Sequence, residues 1–308
     1  MSNTKKSKKP RNPIFRFFGK PYRYAAVFSL LLAAAFTFAL LETFVLPREY
    51  RGSTVCVNPP VLPPRPASAP VITDTSYKDE NIDITIETVR VLDTNVHIVE
   101  VKLSSAALLK NAFAKDAYGR NINQKTSVIA AEKDAIFAVN GDFYGFRDTG
   151  WVLRNGELYR SGADRTALLM DVNGDLSLSK NDDEIRGKLP HTWQIWSFTP
   201  VLVKEGEITA PRNSESSFYG EQPRTAIGQV GKLHYIFITT DGRDGSNAGL
   251  PVYDLAVLFK ERGCTIAYNL DGGGSATMYF NGKLVNHPAE RSNKQGEREV
   301  SDIVYIGY

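Results

Sequence analysis

Residues 266–285 read IAYNLDGGGSATMYFNGKLV, and this stretch favours short β-strands joined by tight turns. An apolar run at 266–270 leads into the turn Asp271-Gly272-Gly273-Gly274-Ser275, and a second apolar run ends at Asn281-Gly282. Asn-Gly between apolar runs is typical of a two-residue β-hairpin. We therefore predict a strand on each side of the glycine turn and a hairpin at Asn281.

The same features recur on both sides of this stretch. Asn155-Gly156 and Asn173-Gly174 separate further apolar runs, and isoleucines alternate with polar residues at 82–86, as in a half-buried strand. Helical patterns are fewer and are predicted at 126–133 and 251–262. The sequence therefore predicts the α+β class: one catalytic domain rich in antiparallel or mixed β-sheet, with few helices.

The charge of the chain is concentrated at its N-terminus. The 308 residues carry a formal net charge of only +3. Eight Lys and Arg residues lie within residues 1–24, where no acidic residue offsets them. The rest of the chain is slightly acidic, which argues against a body that binds nucleic acid. We interpret residues 1–24 as a basic cytoplasmic arm.

An apolar segment at 25–46 follows the basic arm. It is about long enough to cross a bilayer as a helix. Basic residues tend to stay on the cytoplasmic side, so the segment predicts a single-pass signal anchor with the catalytic domain extracytoplasmic, at the cell membrane. A cleaved signal peptide is the rival interpretation, but the sequence Glu42-Thr43-Phe44-Val45-Leu46 offers no small-residue cleavage site.

A Pro-rich segment at 47–75 is predicted to be an extended linker between the membrane and a domain at 76–308. Cys56 lies in this linker and Cys264 in a predicted buried segment. An oxidising compartment would permit a disulfide. Because the two settings differ, we expect both cysteines to be unpaired.

Three segments share one design, an apolar strand that ends in a small polar turn. They lie at 136–144, 235–243 and 266–275. Buried strands can present such ends to a shared cleft, although Asn-Gly and Asp-Gly alone are more often plain turns. Three consecutive glycines exceed what a hairpin needs, and their N–H groups could bind an anion such as phosphate.

Two arginines lie at the predicted strand ends. Arg224 precedes the strand that begins near Thr225, and Arg243 follows Asp241-Gly242. A guanidinium group can bind phosphate through two parallel hydrogen bonds. The histidines show no metal-ligand spacing, so the sequence identifies no metal ligands. It also requires no cofactor. A divalent cation stays open as an alternative.

Five ordered motifs resemble the phosphodiester glycosidase family, some of whose bacterial members are described as exopolysaccharide-related. They are AVNGDFYG (138–145), PRTAIG (223–228), TTDGR (239–243), YNLDGGGSATM (268–278) and SDIVYIGY (301–308). The resemblance covers roughly residues 77–308. It implies hydrolysis of a sugar-1-phosphodiester, such as an α-N-acetylglucosamine-1-phosphodiester, to a sugar and a phosphomonoester.

The resemblance also implies a set of site residues. The catalytic candidates are Asp241 and Asp271, with Asp142 third, because a carboxylate can stabilise or attack a sugar cation. The candidates for binding substrate and phosphate are Asn140, Arg224, Thr240, Arg243, Gly272, Gly273, Gly274 and Ser275.

Partners and alternatives follow from the same residues. The expected partners are a sugar-1-phosphodiester or surface glycopolymer and the membrane, with no nucleic acid. One alternative is a noncatalytic carbohydrate- or phosphate-binding protein that assists exopolysaccharide or cell-wall polymer assembly, and another is a structural or regulatory surface protein. Retention of all three aspartates favours the enzyme.

Overall fold

Short strands make up most of the folded chain. The computed structural model describes residues 20–162, 164–212, 216–291 and 294–308. The α-helices within these ranges are α1 (Pro21–Phe44), α2 (Thr126–Glu132), α3 (Asp182–Lys188) and α4 (Val252–Glu261). The strands are β1 (Arg48–Glu49), β2 (Ser53–Thr54), β3 (Val71–Ile72), β4 (Ser76–Lys78), β5 (Ile82–Val91), β6 (Thr94–Leu103), β7 (Leu109–Phe113), β8 (Gly119–Arg120), β9 (Phe137–Asn140), β10 (Val152–Arg154), β11 (Glu157–Arg160), β12 (Ala167–Asp171), β13 (Leu176–Ser179), β14 (Thr192–Ser197), β15 (Val201–Lys204), β16 (Glu207–Ile208), β17 (Thr225–Gly231), β18 (His234–Thr240), β19 (Ile266–Asn269), β20 (Met278–Phe280), β21 (Lys283–Leu284), β22 (Ala289–Arg291), β23 (Lys294–Gln295) and β24 (Asp302–Ile306).

The chain divides into two compact units, residues 1–47 and 48–308. The first contains α1, in which the stretch Tyr22–Phe44 has a mean hydropathy of 2.2 and is long enough to cross a membrane. A membrane anchor and a signal sequence both have this length and composition. Of the predicted basic arm at 1–24, residues 1–19 lie outside the described part of the chain.

Three larger antiparallel sheets form most of the second unit, beside the two-stranded sheets β1-β8 and β22-β23. Their strand orders are β16-β15-β19-β17-β18-β6-β5-β4-β3, β13-β12-β14-β10-β11-β2 and β21-β20-β9-β24-β7. Neighbouring strands in these sheets pair antiparallel throughout. The sheet-rich fold with few helices confirms the predicted class.

The nine-stranded sheet is buried on both faces at its centre. In β18, Tyr235 and Phe237 join a core shared with the other two sheets, whereas Ile236 and Ile238 pack with α4. A strand buried on both faces has no polar alternation, and this explains the continuous apolar run in β18. In β5 only Ile82, Ile84 and Ile86 are buried, so this strand keeps the alternation seen in the sequence.

The predicted hairpins and helices are confirmed. Asn155 and Gly156 adopt φ angles of 52° and 81° between β10 and β11, a backbone shape suited to a two-residue hairpin. The predicted helices at 126–133 and 251–262 correspond to α2 and α4. The sequence analysis missed α3, which begins where the side chain of Asn181 accepts hydrogen bonds from the N–H groups of Asp183 and Glu184.

Residues 48–75 lie against the domain and belong to the same compact unit, whereas the sequence predicted an extended linker between the membrane and the domain. Strand β2 pairs with β11 and β3 pairs with β4. Between these strands, the carbonyl of Val61 accepts a hydrogen bond from Ser105 Oγ (2.7 Å) and that of Pro64 from Asn81 Nδ2 (3.1 Å). Proline lacks an N–H donor but keeps its carbonyl, so a Pro-rich segment can still line the edge of a domain.

The two cysteines are both free, as predicted, and both are buried. Cys56 lies in the segment at 48–75, and Cys264 packs with α4. The burial of Cys56 is a further sign that this segment belongs to the folded unit.

Candidate active site

The order of three neighbouring strands brings three of the sequence motifs together. Strand β17 lies between β18 and β19, with Thr225 opposite Thr239 and Ala226 opposite Asn269. Because both pairings are antiparallel, the beginning of β17 lies beside the ends of β18 and β19. Arg224, TTDGR and the glycine turn therefore meet where these three central strands of the nine-stranded sheet begin or end.

A cleft of about 370 Å³ opens at these strand ends. It contains three arginines but one carboxylate. Its lining residues are Phe143, Phe198, Ser217, Phe218, Gln222, Arg224, Arg243, Asn269, Asp271, Gly272, Gly273 and Arg298. The predicted residues found there are Arg224, Arg243, Asp271, Gly272 and Gly273. Their roles stay predictions.

Arg224 is a buried cation without a carboxylate partner in the described part of the chain. Its guanidinium donates to the backbone carbonyls of Leu250 (2.9 Å), Phe218 (2.8 Å) and Gly220 (2.5 Å). Burial, reinforced by the charge of Arg243, lowers the pKa of Arg224 to about 10. It therefore remains protonated at neutral pH, and an anion in the cleft would meet its charge.

Arg243 lies against the glycine turn. It donates to Gln222 Oε1 through Nη2 at 2.8 Å, and burial followed by the charge of Arg298 lowers its pKa. A Cβ on Gly273 would stand 2.7 Å from Arg243 Nη2, and Gly273 has a φ of +59°. Glycine is favoured there because the positive φ is strained for a side chain and because a Cβ would force the guanidinium of Arg243 to move.

The glycine turn offers fewer free donors than expected. The N–H of Gly272 donates to Asp271 Oδ1 (2.9 Å), and that of Gly273 donates to the carbonyl of Pro223 (2.7 Å). Gly274 is buried against the backbone of Glu290, which a Cβ would approach to 2.5 Å. The turn therefore serves close packing, and the cationic donors at the cleft are the arginines.

Asp271 is the cleft carboxylate, and it is almost fully buried, with 8% of the residue exposed. Arg298 Nη2 donates to Asp271 Oδ2 at 3.0 Å and to the buried Ser275 Oγ at 2.6 Å. Burial raises the pKa of Asp271 above its usual range, although the charge of Arg298 and the hydrogen bonds from Ser275, Gly272 and Arg298 oppose the rise. Ser275 thus positions Arg298 without lining the cleft.

Neutral groups complete the lining. Asn269 donates from Nδ2 to the carbonyl of Thr199 (2.8 Å). Its buried Oδ1 accepts no hydrogen bond from the described residues. The rings of Phe198 and Phe218 lie 6.2 Å apart, and Phe143 stacks on Phe146 at 4.5 Å. Aromatic faces of this kind suit the C–H faces of a sugar.

Asn140 joins two sheets beneath the cleft. It is fully buried; its Nδ2 donates to the carbonyl of Asp271 (2.6 Å), and its Oδ1 accepts from Thr225 Oγ1 (2.8 Å) and the N–H of Thr277 (3.2 Å). Because these bonds occupy its side chain, Asn140 fixes the position of Asp271 in this structure.

Asp142 lies outside the cleft lining. Its carboxylate is fully buried, forms an ion pair with Arg154 Nη2 (2.8 Å) and accepts from the N–H of Ser197 (2.7 Å). Arg154 also pairs with Asp302 (2.9 Å), whose pKa burial raises to about 6. The structure thus gives Asp142 a place in a buried ion triad.

Asp241 and Thr240 also lie outside the lining. Asp241 accepts from the N–H of His287 (2.7 Å) and Asn95 Nδ2 (3.2 Å), and His97 Nε2 lies 3.4 Å away. Burial acts to raise its pKa, but these groups outweigh burial and hold the pKa below its ordinary value. Thr240 Oγ1 accepts from the N–H of Arg224 (2.9 Å), which fixes the backbone of that arginine.

The sequence analysis missed seven of the lining residues. Phe143 and Asn269 lie inside the quoted motifs, so those motifs contained a usable signal. Arg298 and Gln222 sit in polar stretches with no local pattern, and Phe198, Ser217 and Phe218 come from connecting segments. In the described part of the chain, no group of three His, Cys, Asp or Glu side chains is arranged to hold a metal ion.

The family follows from comparison with known sequences. The sequence model of the family described as phosphodiester glycosidase matches residues 133–307, which include every cleft-lining residue. The chain belongs to the phosphodiester glycosidase family. The resemblance inferred from the five motifs is thereby confirmed.

Two curated relatives align with part of their length. The SPbeta prophage-derived uncharacterized protein YomE of Bacillus subtilis (strain 168) is 28% identical over 218 residues, 62% of this chain and 31% of that protein. The mouse N-acetylglucosamine-1-phosphodiester alpha-N-acetylglucosaminidase is 33% identical over 191 residues, 55% of this chain and 37% of the relative. The chain thus spans about a third of these relatives, and the named activity of the mouse protein is that of a glycosidase, a hydrolase.

A solved structure shows the same fold. The catalytic domain of the zebrafish N-acetylglucosamine-1-phosphodiester alpha-N-acetylglucosaminidase, auto-inhibited by its pro-peptide, has a TM-score of 0.60 and 20% identity to this chain. The match covers 85% of this chain and 89% of the zebrafish chain. It supports a single domain of this family's fold after the N-terminal helix.

Proposed function

We propose that this phosphodiester glycosidase hydrolyses a sugar-1-phosphodiester, with α-N-acetylglucosamine-1-phosphodiester as the reference substrate. The observation that carries the proposal is the charge of the cleft, where Arg224, Arg243 and Arg298 face one carboxylate, Asp271. A substrate with a phosphate on the anomeric oxygen supplies the missing negative charge. The family and the named activity of the mouse relative support the same substrate class.

Arg224 and Arg243 bind the phosphodiester in this proposal. Their guanidinium groups are held by backbone carbonyls and by Gln222, so no ion pair has to break when the anion enters. Bond cleavage leaves negative charge on the departing phosphate oxygen. Fixed cations in a partly buried cleft stabilise that charge more than water would.

Asp271 stabilises the positive charge that develops on the sugar ring. The bond between the anomeric carbon and the phosphate oxygen breaks, its electron pair leaves with the phosphomonoester, and a water oxygen finally binds the anomeric carbon while its proton passes to the products or solvent. A phosphate leaves more easily than an alcohol, so one carboxylate can suffice where other glycosidases use two. Asp241 and Asp142 were predicted to be catalytic. In this proposal they have a structural role instead and hold loops and sheets in place.

The setting of the enzyme is part of the proposal. With α1 as an uncleaved anchor and the basic arm inside, the domain would act at the outer face of the cell membrane on a surface glycopolymer. The hydropathy of α1 and the basic residues at 1–24 support this orientation. The proposed reaction needs no cofactor, and a requirement for a divalent cation can be tested with a chelator.

The test incubates the purified full chain with an α-N-acetylglucosamine-1-phosphodiester and measures free sugar. Release of sugar together with a phosphomonoester is the expected result, and Arg243→Ala should raise KM because it removes a phosphate contact. Arg186→Gln, which removes an arginine on α3 away from the cleft, is the matched control. Saturable binding without turnover would overturn the proposal in favour of a noncatalytic glycan-binding protein.

A further inference from the structure

A second pocket lies on the other side of the short 3-10 turn at Tyr144–Phe146. Its volume is about 360 Å³, close to that of the cleft. Tyrosine rings and arginine side chains form most of its lining, and the residues used below are Tyr50, Tyr118, Tyr159, Arg120, Arg147 and Arg160. These six residues lie outside the five family motifs, whereas Tyr144 and Gly145, which also line the pocket, belong to the motif AVNGDFYG (138–145).

The tyrosines form an aromatic wall. The ring of Tyr118 lies 4.8 Å from that of Tyr159, 4.7 Å from that of Tyr144 and 6.2 Å from that of Tyr50. Tyr50 is 48% exposed, whereas Tyr118 is buried. A tyrosine combines an apolar ring with a polar hydroxyl, and this suits the mixed surface of a sugar.

The arginines give the pocket a positive charge. Arg160 Nε donates to the carbonyl of Gly150 (2.9 Å), and Arg147 Nη2 donates to that of Ser197 (2.5 Å). Neither has a carboxylate partner in the described residues, and Arg147 Nη1 and Arg160 Nη2 have no hydrogen-bond acceptor there. Arg120 is paired with Asp148, which offsets one charge only.

The pocket and the cleft adjoin through a single loop. Phe143 lines the cleft, and the next residue, Tyr144, lines the pocket. The guanidinium carbon of Arg147, a pocket residue, lies 5.3 Å from the ring centroid of Phe198, a cleft residue. One extended molecule could therefore occupy both.

We infer that this pocket is a second glycan subsite that binds a sugar unit carrying a phosphate group. The sugar face packs on the tyrosines, and the phosphate group is drawn to the arginine charge. The inference rests on the proposed function, because a glycopolymer with phosphate between its sugars would present such a unit next to the bond that is cut. It can nevertheless be tested without any hydrolysis.

The experiment labels the full chain with fluorotyrosine and titrates it with glucose 6-phosphate, followed by fluorine NMR. A detergent without a sugar headgroup avoids competition. Glucose 6-phosphate has no bond between the anomeric carbon and phosphate, so it is not consumed. The variants Tyr50→Phe and Tyr159→Phe assign the pocket signals. These signals are expected to shift saturably, and glucose alone or inorganic phosphate alone should bind about tenfold more weakly or worse, because each meets half of the pocket.

Two charge variants of opposite sign strengthen the test. Arg120→Gln should raise the dissociation constant read from the tyrosine signals about tenfold, because it removes a cation. Asp148→Asn frees Arg120 from its ion pair and should lower the dissociation constant. Arg186→Gln is the matched control and should leave it unchanged. Arg243→Ala alters the cleft alone, so it should leave the pocket titration intact even if the proposed reaction fails.

Three outcomes would overturn the inference. The first is inorganic phosphate binding as tightly as the sugar phosphate, which would mean a simple anion site. The second is loss of the tyrosine shifts in Arg243→Ala, which would place all binding in the cleft. The third is the absence of any saturable shift of the pocket signals in the wild-type chain.

Discussion

At the scale of the residue, three aspartates that follow apolar strands have three different environments. Asp142 is neutralised by Arg154, and Asp241 is surrounded by His97, His287 and Asn95. Asp271 alone among them lines the cleft, where burial opposes its ionisation. A carboxylate that is costly to ionise yet faces a cleft is a typical feature of a functional site.

Asp271→Asn should abolish activity without harming the fold. Loss of the carboxylate should lower kcat by about 100-fold or more, about 3 kcal/mol of transition-state stabilisation. Because the folded chain raises the pKa of Asp271, stability falls as the pH rises from the ordinary aspartate pKa to the raised one, and the full cost is present above the raised pKa. Removing the charge should therefore leave Tm at neutral pH equal to or above that of the wild type. Free-sugar release and a thermal melt measure the two effects, and a kcat above about half of the wild-type value would contradict the catalytic role.

Arg298 should set the lower pH limit of activity. The acid limb of kcat/KM is expected above the ordinary aspartate pKa of about 3.9, because ionised Asp271 is needed and its pKa is raised. Arg298 opposes that rise together with Ser275 and the N–H of Gly272, so Arg298→Gln should move the limb to higher pH.

Lysine at position 298 keeps the charge and should restore much of the wild-type pH profile. The measurement is kcat/KM against pH, with Arg186→Gln as the control. An unchanged limb in Arg298→Gln, with lower activity at every pH, would instead indicate that Arg298 only supports the fold.

At the scale of the element, the segment at 48–75 shows how a Pro-rich sequence can complete a folded unit. Its strand β2 lies at the edge of the six-stranded sheet and β3 at the edge of the nine-stranded sheet. The carbonyls of Val61 and Pro64 hold the stretch between these strands. Covered edges also protect a sheet from pairing with other chains.

Two truncated chains test this element. A chain beginning at residue 48 should keep the stability of the domain, because it retains β1 to β3. A chain beginning at residue 76 loses these strands and exposes the edges of β4 and β11, so its Tm should fall by about 5 °C or more, and it should aggregate sooner. Thermal melts and light scattering provide the comparison. Equal Tm values would show that the segment acts as a linker despite its contacts.

At the scale of the whole molecule, a unit with an apolar helix is followed in the chain by a unit with a charged cleft. Residues 1–47 hold the apolar helix α1, and residues 48–308 hold the cleft and the second pocket. Length and hydropathy suit α1 to a membrane anchor and also to a signal sequence. The orientation must therefore be measured.

Protease added to intact cells that express the chain should remove residues 48–308 and spare an epitope placed in the basic arm. This result follows if basic residues hold the N-terminus inside. Detection of a full-length chain in membranes that withstand a carbonate wash distinguishes an anchor from a cleaved signal. Protection of the domain from protease in intact cells would reject the proposed orientation.

The sequence by itself determined the sheet-rich class, the hairpins, two helices and the family. These depend on local rules. Asn155-Gly156 favours a hairpin because its residues tolerate positive φ, and residues 235–238 of β18 are all apolar because both faces of the strand are covered there. The motifs also located Arg224, Arg243 and Asp271, since strand ends carry the polar residues that a buried strand cannot.

Only the tertiary structure decided which motif residues share a cleft. Asp142, Asp241 and Asp271 look alike in sequence, yet their neighbours come from distant segments: Arg154, His97 and Arg298. Phe198 and Phe218 reach the cleft from connecting segments without a pattern. A carboxylate acquires its role from the charges and burial around it, and those arise from pairing between strands far apart in the chain.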